Sequence, residues 1–113
     1  MRHEIKKVSK IVDELMTLLL REDTDEVDFK VKKEQDHYKI VVTDYNTKFT
    51  QAEAKEFEEY FNVQRQHEYE EYFWQLVGES DCDVELTMIG AMVDEAIVEL
   101  RGNDLYMEII RKI

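Results

Sequence analysis

The sequence predicts an α+β fold: a two-layer α/β sandwich with helices on one face of a mixed sheet of about four strands. Two observations carry this. Apolar residues recur at helical spacing over residues 5–19, and with period two in four short segments, at 27–31, 38–42, 96–100 and 105–109. The period-two segments also come in pairs split by short turn-forming stretches, so each pair reads as a hairpin. A length of 113 residues is one domain's worth, and residues 1–113 read as a single domain.

Ile5, Val8, Ile11, Val12, Leu15, Met16, Leu18 and Leu19 define the first, amphipathic helix. Lys6, Lys7, Lys10, Asp13 and Glu14 lie mostly off its apolar stripe, and the helix is expected to end near Arg21. Val27, Phe29 and Val31 then alternate with Asp28, Lys30 and Lys32. Tyr38, Ile40 and Val42 follow after a Glu34–His37 turn.

Thr50-Gln-Ala-Glu53 is a capping-box signature that opens a second helix through Phe57, Tyr60 and Phe61. No breaker stands between Thr50 and Gly78. The stretch therefore reads as one long helix or as two with a kink near Asn62, closed by Gly78. Ser80 or Asp81 caps a further helix through Leu86, Ile89, Met92 and Val93. Ala96, Val98 and Leu100, a Gly102-Asn103 turn, and Leu105, Met107 and Ile109 complete the final hairpin. The order is helix-strand-strand-helices-strand-strand.

Composition excludes several function classes. There is no proline, and glycine occurs only at 78, 90 and 102, so there is no phosphate-binding glycine loop, dinucleotide fingerprint or nucleophile elbow. A single cysteine, Cys82, excludes an internal disulfide and a thiolate zinc site within one chain. Flanked by Asp81 and Asp83, its thiol is disfavoured as a nucleophile. His3, His37 and His67 are scattered, and no metal site is expected.

The net charge is −12. Residues 50–83 carry ten acidic and two basic side chains. Such a chain repels nucleic acid and anionic lipid, so neither is an expected partner; a basic protein is. The first apolar segment is studded with charge and no stretch spans a membrane, which predicts a cytoplasmic protein.

Ile40-Val-Val-Thr-Asp44 is a strand ending in an aspartate. The run Glu85-Leu-Thr-Met-Ile-Gly-Ala-Met-Val-Asp-Glu-Ala96 reads as a helix, and Ile97–Ile113 as a closing hairpin. In this order, from about Ile5 onward, the chain resembles the ATP-binding domain of the histidine-kinase-type (GHKL) ATPases, in particular the small bacterial anti-sigma-factor serine kinases. The resemblance implies that Asp44 would be the nucleotide-binding residue holding adenine and Glu14 the catalytic base. The family's glycine boxes are missing, however: Tyr45-Asn46-Thr47-Lys48-Phe49 follows Asp44. Thr17 or Leu18 stands where the magnesium-binding asparagine is expected, and an acidic, aromatic segment, Asn62–Glu79, replaces the glycine-rich lid.

Three parts of an ATP site are thus absent, and the expected function is a non-catalytic regulatory or protein-interaction module with a degenerate nucleotide site and no cofactor. The alternative is a divergent ATP-binding serine/histidine kinase domain using ATP and magnesium.

The strand alternation also leaves Val41, Ile97, Tyr106 and Ile110 on the sheet face away from the helices, as an apolar patch. The resembled kinases commonly dimerise through this region, so a homodimer through these four residues is expected.

Overall fold

A computed structural model describes residues 4–62 and 92–113. The element order is α1 (Glu4–Arg21), β1 (Glu26–Lys33), β2 (His37–Tyr45), α2 (Gln51–Phe61), β3 (Glu95–Arg101) and β4 (Asp104–Lys112). The fold is α+β, with the helices packed against a four-stranded sheet of order β1-β2-β4-β3. Each neighbouring pair runs antiparallel. This corrects the expected mixed sheet: both hairpins are tight, and the long connection from β2 through α2 returns the chain so that β4, not β3, pairs with β2.

The period-two pattern sets the faces as the sequence predicts. Phe29, Val42, Met107 and Val98 stand side by side on the inner face, as do Val31, Ile40, Ile109 and Ala96. Against them α1 buries Val8, Ile11, Leu15 and Leu19, and α2 buries Ala54 and Phe61. Burial of the Val, Ile, Leu and Phe side chains among these stabilises the fold by roughly 1.5–3 kcal/mol each.

The α1 stripe is narrower than its spacing suggests. Ile5 is 72% exposed and Met16 and Leu20 are also exposed, whereas Lys7, expected off the stripe, is buried.

Local chemistry sets the element ends. The Thr50 hydroxyl accepts from the Glu53 N–H at 3.1 Å, and the Glu53 carboxylate accepts from the Thr50 N–H at 2.9 Å, completing the capping box. Asn62 is the C-cap of α2, so the helix opened by Thr50 breaks there. Gly102 takes φ +64° at the first turn position of the β3–β4 hairpin, where a type II′ turn favours glycine.

Met92 and Val93 are not helical and Ala96 lies within β3. This corrects the expected extension of a helix to Val93, and to Ala96 in the resembled pattern. The period-two pattern that begins at Ala96, with the adjacent β-branched pair Ile97 and Val98 in it, wins over helix continuation there. The Gly78 and Ser80/Asp81 caps, the aromatic cluster at 69–74 and Cys82 lie outside the described residues.

Candidate functional site

Asp44, the expected nucleotide ligand, is the last residue but one of β2 and stands on the inner face, between Val27 and Leu105. It is 1% exposed. Its Oδ2 accepts from the Thr47 hydroxyl at 3.0 Å, and that hydroxyl oxygen accepts from the Phe49 N–H at 3.1 Å. Asn46, with φ +51°, turns the chain so that Thr47 folds back over the carboxylate.

The turn is tied to the opposite hairpin: Asn46 N–H donates to Asp104 Oδ1 and Thr47 N–H to Asn103 O. Phe49 closes the far side, packed edge-to-face on Phe57 at 5.0 Å. Asp44 Oδ1 is buried without a hydrogen-bond partner. Burial pushes the carboxyl above its ordinary value, while hydrogen bonds from Thr47 and Thr24 pull against that rise.

Beside Thr47 lies a cavity of about 290 Å³, lined by Asn46, Thr47, Phe49, Leu100, Gly102 and Asn103. That is at the low end for a small-molecule site. Glu14, the base of the alternative reading, is on α1 and is held by Lys10 at 3.0 Å. Glu14 and Asp44 are thus each engaged by side chains of their own segment.

The register does bring Val41, Ile97, Tyr106 and Ile110 onto one open face, but not as a continuous patch. Glu108 stands between Val41 and Ile97, Tyr106 lies between Thr43 and Glu99, and Ile110 between Lys39 and Glu95. The polar residues interlock. Lys39 pairs with Glu108 at 2.8 Å, the Tyr106 hydroxyl donates to Glu108 at 3.1 Å, and the Arg101 guanidinium lies 3.6 Å from the centre of the Tyr106 ring. The hydrogen bond from Lys39 holds the Glu108 carboxyl below its ordinary value, with the Tyr106 hydroxyl adding to it against the effect of burial. Ile97 remains 44% exposed.

The two sheet edges differ. Along β3, Asn62 accepts from the Ala96 N–H at 3.0 Å and donates to the Ala96 carbonyl at 2.9 Å. Glu58 accepts from the Val98 N–H at 3.0 Å. Side chains of α2 therefore take the place of a further strand. Sequence reasoning missed this arrangement; Asn62 is legible only as the first helix-terminating residue after the Phe57–Phe61 period.

Among the described residues, no group of three or more His, Cys, Asp or Glu side chains is placed to hold a metal ion. No described helix is long and apolar enough to cross a membrane. Compared with known proteins, the chain matches no family model, no curated protein and no solved structure.

Proposed function

We propose that the chain is a non-catalytic, cytoplasmic protein-interaction module of regulatory type, working as a homodimer, with a degenerate nucleotide site of the kinase-ATPase kind. The observation that carries this reading is the state of Asp44. The carboxylate that would hold adenine is buried beneath its own loop and bonded to Thr47. A side chain so covered needs the Asn46–Phe49 loop to open before it meets a base.

The open sheet face supports the interaction role. Tyr106, Arg101 and the exposed Ile97 share this face, and Tyr and Arg are enriched where proteins bind proteins. The exposed acidic residues of α2 (Glu53, Glu56 and Glu59) favour a basic partner.

Calorimetric titration of the purified chain with ATP and ADP, with and without magnesium, tests the reading. No heat and an unshifted melting temperature at millimolar nucleotide are expected. Binding at about 1 μM or tighter, some 8 kcal/mol, overturns it in favour of the kinase alternative.

Among the described residues, the unpartnered Asp44 Oδ1 favours that alternative, since it is an acceptor to which an amino group could donate. Asp44→Asn with the fold intact then separates the two. Loss of nucleotide affinity supports the kinase, and no change in any nucleotide response supports the interaction module.

A further inference from the structure

We infer that two copies of this chain join edge to edge through β1, making one continuous eight-stranded antiparallel sheet. This rests on the homodimer of the proposed function and places its contact at β1, leaving the open face to another partner. Among the described residues β1 is the sheet edge that α2 does not cover.

The β1–β2 hairpin closes with Glu34 N–H donating to His37 O at 2.8 Å. Hydrogen-bonded pairs alternate along an antiparallel ladder. The even-numbered residues of β1 therefore bond to β2, and Val27, Phe29 and Val31 turn their N–H and C=O groups outward.

The strand reads Glu-Val-Asp-Phe-Lys-Val-Lys-Lys, acidic at its start and basic at its end. A twofold axis through Phe29 pairs it with itself. Glu26 then faces the partner's Lys32, Asp28 the partner's Lys30, Val27 the partner's Val31, and Phe29 the partner's Phe29. The charges at 26, 28, 30 and 32 fall on the open face and the apolar residues on the core face; Lys33, at the strand end, is the one charge on the core-face side.

Sliding the register by two residues sets Asp28 against Asp28 or Lys30 against Lys30, and directly opposed like charges destabilise a sheet. Sliding by one puts each side chain on the wrong face. One register alone satisfies charge, face and backbone bonding together. It is also isologous, as a closed dimer requires.

The flank beside β1 is apolar. Val31 is 49% exposed, and it lines a groove of about 350 Å³ with Ile5, Val8, Ser9, Val12 and Tyr38. Ile5, Val12, Met16 and Leu20 fall at helical spacing along this side of α1. Four of the six exposed large hydrophobics among the described residues, Ile5, Met16, Leu20 and Val31, thus belong to β1 or to this stripe. In a chain of net charge −12, β1 is also the strand where cations gather, so it is the edge at which a second copy is least repelled.

Light scattering on the eluting chain at about 100 μM, where a micromolar interface is saturated, is the test. The wild type is expected at twice 13.6 kDa. Lys30→Asp sets two carboxylates opposite each other and is expected to give monomer. Adding Asp28→Lys to that variant swaps the charges and is expected to restore the dimer. Val31→Pro removes an outward N–H that β2 does not use, and is also expected to give monomer.

Unchanged circular dichroism spectra show that each variant is folded. A wild-type mass of 13.6 kDa overturns the contact and the homodimer with it. A dimer that survives Lys30→Asp and Val31→Pro but is lost in Ile97→Glu overturns the β1 contact alone and leaves the interaction module standing. The nucleotide titration is independent of all these outcomes.

Discussion

Arg111 and Glu4, 107 positions apart, form a buried two-point ion pair. Arg111 Nε donates to Glu4 Oε1 at 2.6 Å and Nη2 to Oε2 at 3.1 Å. Arg111 Nη1 donates to the Met92 carbonyl at 2.7 Å. The guanidinium thereby joins the first turn of α1, the end of β4 and the approach to β3. Removing one partner of such a pair takes this counter-charge from the other while it stays buried. Arg111→Ala and Glu4→Ala are each expected to destabilise the chain by about 3–5 kcal/mol in urea unfolding. Arg111→Lys keeps the charge but loses the two-point geometry, and falls between wild type and Arg111→Ala. Replacing both residues by Met is expected to cost less than either single alanine.

Asp44 is a cost to the fold at neutral pH. Its folded pKa is raised above 3.8, because burial disfavours the charged form, so the native state holds the proton more tightly than the unfolded state. The stability lost to this group is therefore complete well above pH 3.8 and is regained as the pH falls. Asp44→Asn removes the buried charge and is expected to raise stability at pH 7. Thermal unfolding should show the gain shrinking toward zero as the pH approaches 3.8. A gain that does not vary with pH would sink this account.

Asn62 holds the β3 edge. Asn62→Ala leaves the Ala96 N–H and carbonyl without their partner, for an expected loss of roughly 1–3 kcal/mol. Asn62→Asp keeps the acceptor for the Ala96 N–H but turns a carboxylate oxygen toward the Ala96 and Glu58 carbonyls, and should lose at least as much. Because the alanine variant bares a strand edge, its light scattering on storage should rise above that of wild type.

The Lys39–Glu108 pair gives the open face an acid and an alkaline limb. The Glu108 carboxyl is depressed, chiefly by its hydrogen bond from Lys39, so its contribution is present above pH 4.5 and is lost as the pH falls through the folded value. The Lys39 ammonium is raised by the same bond, so its contribution is present below pH 10.5 and is lost as the pH rises beyond it. The stability difference between wild type and Glu108→Gln should be widest near neutrality and close toward both extremes. Salt should narrow it, since the pair is partly exposed.

Much of this fold is legible in the sequence because its signals are local. The alternation at Val27–Val31 and Leu105–Ile109 names both the strands and their inner faces, and Thr50 with Glu53 marks a helix start. Gly102 marks a turn that needs positive φ. The same alternation, carried one step beyond Ile109, places Arg111 on the core face, a signal hidden by the residue's charge. Asp44 stands on the inner face by the same parity, but its cover of Thr47 and Phe49 depends on the loop geometry at Asn46. The open face is assigned to the right residues, while its interruption by Glu108 follows only from which strand lies beside which.

By itself the sequence determined the type, order and polarity of the described elements, because hydrophobic period, capping and turn chemistry act within a few residues. Tertiary structure alone decided the strand order. That order makes β1 an edge, seats β4 between β2 and β3, and brings Glu4 to Arg111 and Asn62 to Ala96. Period is a property of one segment, whereas pairing is a competition among segments far apart in the chain. It is resolved by the core they jointly bury and by the hydrogen bonds each edge must find.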